Sequence, residues 1–232
     1  MFISKKKKIL LGITLLFFSL FIGYHFMGSK GYFKIYKIPT TASSPTLELG
    51  DYVIVSNLVA VKNNDFISFW HQEEIFGTGH WMFRMVAKEQ DTLSIIDGIT
   101  YVNGINIDKN IRLKHSYTIN QDQLKSISHT LVPGQEEYYT IGENMIIIHL
   151  EDSVVKNHIP KALLSYTQTP KEKHSKVNKD FPNDWDNYNF GPLIIPKNKF
   201  FVMGDNRDNA MDSRYIGLID KSNYVGKAIN VN

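Results

Sequence analysis

Three short segments, residues 38–51, 83–91 and 204–217, contain hydroxyl, carboxylate or guanidinium side chains that could take part in chemistry. The first segment offers the hydroxyls of Thr40, Ser43 and Ser44, and a serine becomes a nucleophile only when a neighbouring base takes its proton. None of the eight histidines is spaced so as to predict a Ser-His-Asp set, and the absence of cysteine excludes thiol catalysis. A lysine can replace histidine as the base, because burial against apolar surface lowers its pKa.

The charged residues of these segments also have a purely structural interpretation. The Gly-Asp-Asn run that begins at Gly204 is typical of a tight turn, and Asp212 with Arg214 predicts a carboxylate–guanidinium pair that braces a loop. We likewise expect Arg84 to be a structural ion-pair partner rather than a clamp on a substrate.

One further group of residues contains the types that bind metals, namely His71, Glu73, Glu74 and His80. Their spacing fits no standard helical zinc motif, and the intervening glycines indicate a hairpin loop. We therefore interpret the group as part of a solvated loop and predict no metal and no cofactor.

The chain begins with a segment suited to a membrane. Residues 9–27 carry no charge, and a helix of that length spans about 29 Å, close to the hydrocarbon core of a bilayer. Lysines at positions 5–8 precede this run, which places the N-terminus in the cytoplasm and the rest of the chain in the periplasm or outside the cell. A cleaved signal peptide is the alternative. Residues 31–232 have a net charge of −2, so no nucleic-acid partner is expected.

Short β-like runs, separated by turn residues, make up most of the remaining chain. They cover residues 33–38, 52–55, 66–70, 82–86, 92–96, 100–102, 145–150, 193–195 and 200–203. A helix is an option at residues 120–128, although Leu124 and Ile127 are too few to argue a buried face. The pattern predicts a mostly β fold.

The three polar segments together resemble the motifs of the type I signal peptidases, which are membrane-anchored serine endopeptidases that remove signal peptides with a Ser-Lys dyad. Residues 38–51 are similar to P-S-G-S-M-x-P-T-L-x-x-G-D, residues 83–91 to K-R-x-V-G-x-P-G-D, and residues 204–217 to G-D-N-R-D-N-S-x-D-S-R-Y-x-G. The residues that carry the match are Pro45, Thr46, Gly50, Asp51, Arg84, Asp91, Gly204, Asp205, Asn206, Arg207, Asp212, Ser213 and Arg214.

The same alignment shows that the chemistry of the family is missing at its three central positions. Ala42 stands where the family has its nucleophilic serine, Phe83 where it has the lysine base, and Ala210 where a serine orients that lysine. Removing such a catalytic unit costs a factor on the order of 10⁶ in rate, by analogy with triad knockouts. Thr40 keeps a hydroxyl where some members assist the oxyanion.

A relocated dyad is the alternative that the residues leave open. Ser43 and Ser44 are adjacent candidates, but Ser43 would point away from the cleft if the segment is extended, since side chains alternate along a strand. The nearest lysine, Lys88, lies five residues beyond Phe83, which is ~16 Å along a strand.

The resemblance implies a β core with an inserted β subdomain and one N-terminal transmembrane helix. We assign residues 1–8 to a cytoplasmic tail, 9–27 to the membrane helix, 28–104 and 190–232 to the core, and 105–189 to the insertion.

Three functions remain open. The leading one is an inactive homologue in the cytoplasmic membrane that contacts the lipid bilayer and binds signal peptides, other extended peptides or an active signal peptidase. The others are a peptidase with Ser43 or Ser44 as a rearranged nucleophile, and a structural component of an envelope complex.

Overall fold

The apolar N-terminal run forms one long helix, α1 (Lys5–Ser29), in which no residue is buried. The helix is long and apolar enough to cross a membrane. In this computed structural model the described residues are 4–73, 77–131, 138–142, 144–160, 162–164 and 185–231. Beyond α1 they form a mostly β structure, as the sequence predicts.

Three antiparallel sheets contain the strands, which are numbered along the chain. The largest has seven strands in the spatial order β1 (Lys34–Lys37), β2 (Tyr52–Ser56), β15 (Tyr224–Ala228), β3 (Phe66–Glu73), β4 (Gly77–Lys88), β13 (Lys199–Met203) and β14 (Ile219–Asp220). A second has the order β12 (Phe190–Ile194), β5 (Thr92–Ile96), β6 (Ile99–Val102) and β7 (Ile105–Asn106). The third has the order β11 (Leu163–Leu164), β8 (Lys114–Asn120), β10 (Met145–Glu151) and β9 (Tyr138–Ile141).

In the described part of the chain, three short α-helices accompany the sheets: α2 (Gln121–Ile127), α3 (Asp152–His158) and α4 (Ser213–Ile216). Helix α2 forms despite its weak apolar pattern, because two reciprocal hydrogen bonds cap its N-terminal turn. The Asn120 side chain accepts from the Gln123 N–H, and the Gln123 side chain accepts from the Asn120 N–H, each at 2.9 Å. Ile127 then supplies a fully buried contact at the end of the helix.

The apolar core that matters for the site lies on one face of β3, β4 and β13. It contains Ile67, Phe69, Phe83, Met85, Phe200, Val202, Ala210, Ile216 and Ile219. Ala42 and Trp81 pack against this group at its edge. We call this set the β4 cluster. A separate cluster is buried between the third sheet and helices α2 and α3, so the strands of residues 114–164 have an apolar core of their own.

The predicted strands are all present, but several were predicted too short. The pattern of residues 66–70 and 82–86 predicts two strands of five residues, whereas β3 has eight and β4 has twelve. As a consequence His71, Glu73 and His80 lie within paired strands, and the expectation of a solvated loop at these three residues is wrong. Glu74 lies outside the described residues.

Candidate functional site

Ala42, Phe83 and Ala210 come from three distant parts of the chain and meet in the β4 cluster. Phe83 lies on β4 opposite Ile67, and only 5% of its surface is exposed. Its ring is 6.3 Å from that of Phe69 and 6.1 Å from that of Trp81. Ala42 is half-buried, so this position still reaches the surface of the protein. The three residues therefore form an apolar group in which Phe83 and Ala210 are buried and Ala42 is partly exposed.

The loop after β13 approaches the residue 42 position very closely. A Cβ atom placed on Gly204 would lie 2.4 Å from the Ala42 carbonyl oxygen and 2.4 Å from the Ala210 Cβ, so only glycine fits there. The N–H of Asn206 donates to the same Ala42 oxygen at 3.2 Å. Small residues at these positions let the two segments pack backbone to backbone.

The segment that carries the hydroxyls is not a strand. Residues 40–50 are mostly bends and turns, with the Ser44 N–H donating to Thr41 O and the Leu47 N–H donating to Ser43 O, both at 3.0 Å. The assumption of an extended segment is therefore wrong. The segment is not extended because closely spaced turns reverse the direction of the chain before β2 begins.

The turns also decide where the two serine hydroxyls point. Ser43 Oγ donates to the carbonyl oxygen of Met82 at 3.0 Å, and Ser44 Oγ donates to the Glu48 carboxylate. Both serines are buried, whereas Thr40 is exposed at the entrance of the segment. Lys88 is an exposed residue at the far end of β4, five positions beyond Phe83.

A buried ion pair connects the three motif segments. Arg84 donates to both carboxylate oxygens of Asp205, at 2.7 and 2.5 Å, and to Asn64 O at 2.6 Å. Thr46 Oγ1 donates to Asp205 Oδ2 at 2.5 Å, so the same carboxylate also holds the first segment. The guanidinium lies 4.4 Å from the centre of the Phe66 ring. Arg84 is thus held in an ion pair with Asp205.

A second pair closes the loop that carries Ala210. Arg214 donates to Asp212 at 2.9 and 2.7 Å, and the Gly204 N–H donates to the same carboxylate at 3.0 Å. Burial alone would lower the pKa of Arg214, but the adjacent Asp212 carboxylate outweighs burial and raises it. Ser213 Oγ accepts from the Val202 N–H at 3.0 Å. These contacts fix the loop on β13.

The remaining motif residues hold neighbouring turns. Asp51 Oδ2 accepts from the Glu48 N–H at 2.9 Å, and Gly50 has a positive φ of 96° that completes this turn. Pro45 is buried next to them. Asp91 accepts from the side-chain amides of Asn63 and Asn103, both at 2.8 Å.

Arg207 connects the loop to β6 and to the residues that follow β7. Its guanidinium donates to Asp108 at 2.8 and 2.5 Å and to Thr100 Oγ1 at 2.9 Å. Burial alone would raise the pKa of Asp108, but the charge and hydrogen bonds of Arg207 outweigh burial and lower it.

Strand β4 has one open edge. Strand β13 pairs only with residues from Arg84 to Lys88, so in the described part of the chain no strand pairs with the outer edge of residues 77–83. The Met85 N–H and C=O bond to Asp65 O and Asn64 N on the β3 side. Because main-chain groups alternate in direction along a strand, those of His80 and Met82 face the open edge. Ser43, the residue after Ala42, contacts this edge at Met82 O.

The histidines of the β3–β4 hairpin lie on opposite faces. Trp70 pairs directly with His80, and their rings are 4.6 Å apart, while the His71 ring contacts that of Trp81 edge-to-face at 4.9 Å. Burial and the nearby Lys34 lower the pKa of His80. Within the described ranges, no three His, Asp or Glu side chains come together as a metal site would require.

Two features of the site were missed by reasoning from sequence. One is the contact of Ser43 with the main chain of β4, which no side-chain pattern could indicate. The other is a short parallel bridge between Lys114 on β8 and Asn206, where the Lys114 N–H donates to Asp205 O and the Arg207 N–H donates to Lys114 O, both at 2.9 Å. The third sheet is thereby joined to the loop of the site.

The protein is a β-rich structure that follows one apolar helix in the chain. Its candidate site is an apolar group of residues, held by buried ion pairs, next to an unpaired strand edge. The chain belongs to the signal peptidase family, peptidase S26, whose family model matches residues 10–231. The apolar helix and this family together indicate a membrane-anchored protein.

Individual relatives agree with this family. The chain is 26% identical over 200 residues to signal peptidase I of Aquifex aeolicus strain VF5, covering 84% of this chain and 73% of the relative. It is 26% identical over 254 residues to signal peptidase I of Buchnera aphidicola from Acyrthosiphon pisum, covering 98% and 76%. A crystal structure of a signal peptidase I from Enterococcus faecalis V583 is similar at 16% identity with a TM-score of 0.34, covering 74% of this chain and 98% of that one.

Proposed function

We propose that the protein is a signal peptidase I homologue without peptidase activity, which binds signal peptides or other extended exported segments. The observation that carries this proposal is the meeting of Ala42, Phe83 and Ala210 in one apolar cluster beside the open edge of β4.

Absence of activity follows from the chemistry of the three side chains. A methyl group at residue 42 cannot attack a carbonyl, and a phenyl ring at residue 83 cannot accept a proton. The oxyanion stabilisation that a hydroxyl such as that of Thr40 could supply has no nucleophile to assist. We expect a loss on the order of 10⁶ in rate relative to an intact unit.

Peptide binding is supported by the main chain of β4. An extended peptide can add to an unpaired strand edge, where main-chain hydrogen bonds give affinity and side-chain pockets give selectivity. The half-buried surface at Ala42 and Trp81 offers an apolar wall next to that edge. An active signal peptidase that presents an extended segment is a partner of the same chemistry.

The rearranged peptidase is less well supported. Ser44 is fully buried and donates to Glu48, while Ser43 donates to a main-chain carbonyl rather than to a lysine amine. A purely structural role in an envelope complex would leave the open edge of β4 without a use.

For the location, we propose that residues 1–8 lie in the cytoplasm and that the β structure lies in the periplasm or outside the cell. The basic residues before α1 support this orientation, since positive charge is retained on the cytoplasmic side.

The proposal is tested on the full-length protein in detergent with a preprotein whose signal peptide ends in Ala-x-Ala. We expect binding without cleavage. Cleavage that is abolished by Ser43→Ala or Ser44→Ala would show that the rearranged peptidase is correct. Absence of both binding and cleavage would favour the structural role.

A further inference from the structure

We infer that Ser43 is a specificity-determining residue, which limits how far a bound peptide can pair along β4 by occupying the carbonyl of Met82. The inference rests on the proposed function, because it concerns the same open edge.

The geometry of the edge leaves few main-chain groups for a peptide. Between Gly77 and Phe83, the outward-facing residues are Thr78, His80 and Met82, since their neighbours bond towards β3. Ser43 Oγ donates to the Met82 oxygen at 3.0 Å from the side on which a peptide would add. Arg84, the next residue that faces this way, is already paired with Met203 of β13.

The position of Ser43 is fixed rather than adjustable. Only 4% of the residue is exposed, and its own carbonyl accepts from the Leu47 N–H at 3.0 Å within the turn. The turn therefore holds the main chain of Ser43, and burial confines its hydroxyl next to Met82 O. A peptide N–H that approaches Met82 O must share that acceptor with Ser43.

This arrangement predicts the effect of removing the hydroxyl. In Ser43→Ala the carbonyl of Met82 loses its donor, and a peptide N–H can satisfy it. Peptide affinity should increase about threefold to tenfold, which is the equilibrium effect of one neutral hydrogen bond. Ser44→Ala is a matched control, because this neighbouring buried serine donates to Glu48 instead of to β4.

The experiment measures the dissociation constant of a fluorescent extended peptide ending in Ala-Gln-Ala by anisotropy, with the full-length chain in detergent. Tighter binding by Ser43→Ala, with wild-type affinity for Ser44→Ala, supports the inference. Equal affinity of wild type and Ser43→Ala, or the same gain in both variants, would overturn it. If neither wild type nor Ser43→Ala binds, the proposed function itself fails.

A second measurement needs no variant and so does not depend on the folding of one. Each peptide amide is N-methylated in turn, and binding to the wild-type protein is measured. We expect methylation to weaken binding at the amide that meets His80 and to have little effect at the amide that meets Met82. Two alternate amides of equal sensitivity would show that Ser43 leaves the carbonyl available.

Discussion

Replacing Phe83 by alanine tests whether its ring is packed in the β4 cluster as the structure shows. The ring is 5% exposed and packs in the β4 cluster between Phe69 and Trp81, so truncation leaves a cavity in the core of the largest sheet. A buried Phe→Ala change costs about 3–5 kcal/mol in the free energy of unfolding. For a chain of this size each kcal/mol lowers Tm by about 2–4 °C, so we expect a decrease of roughly 6–20 °C.

The assay is thermal unfolding of the full-length protein in detergent, followed by circular dichroism in the β region. Phe33→Ala serves as the matched control, because this phenylalanine is 41% exposed and its truncation should cost well under half as much. If Phe83→Ala lowered Tm by no more than the control does, the ring could not be a packed part of the β4 cluster. The burial that the structure gives to Phe83 would then be wrong.

Four further outcomes are expected. The triple change Ala42→Ser, Phe83→Lys and Ala210→Ser should restore detectable cleavage of a preprotein, whereas a folded but inert triple variant would mean that the substrate site is lost too. Asp212→Ala should lower the free energy of unfolding in urea by about 3–5 kcal/mol, because it leaves the buried Arg214 without its carboxylate. Deleting an exposed surface carboxylate should lower it by at most about 1 kcal/mol, and equal losses would refute the buried-pair argument. Asp108 has a lowered pKa in the folded state, so its ionised form stabilises the fold above about pH 4, and this contribution is lost as the pH falls through the folded-state pKa. Asp108→Asn should therefore destabilise most at neutral pH and progressively less as the pH falls below about 4; a pH-independent effect would contradict the assignment. The chain has no cysteine, so single cysteines introduced before and after α1 can be labelled from outside intact cells; labelling of the first alone would reverse the proposed orientation.

Strands that are rich in β-branched and apolar residues were predicted well from the sequence. Strand β5 has the predicted bounds, because a run rich in β-branched and apolar residues lies between two turns. Strand β15 was missed, since it contains Gly226 and a lysine and owes its place to pairing with β2 and β3, which are far away in the chain. A Cβ on Gly226 would lie 2.7 Å from a Val55 methyl group, so this weak strand former is required by the packing.

The site was partly predictable for a similar reason. Motif spacing aligns Ala42, Phe83 and Ala210 with positions of the family, and the structure places them in one cluster. The direction of the Ser43 hydroxyl could not be predicted, because it depends on turns whose geometry is set by contacts with the loop after β13. That the protein lacks activity stays a prediction.

The bridge between Lys114 and Asn206 has a practical consequence for anyone who wishes to shorten the protein. Excising the third sheet would strip hydrogen-bond partners from Asp205 O and the Arg207 N–H, which flank the residue that touches Ala42. A truncated protein would therefore be altered at the candidate site itself. A loss of peptide binding in the truncated protein could not be attributed to the excised sheet. Point substitutions on the outer strand β9 avoid this difficulty, because they leave the junction intact.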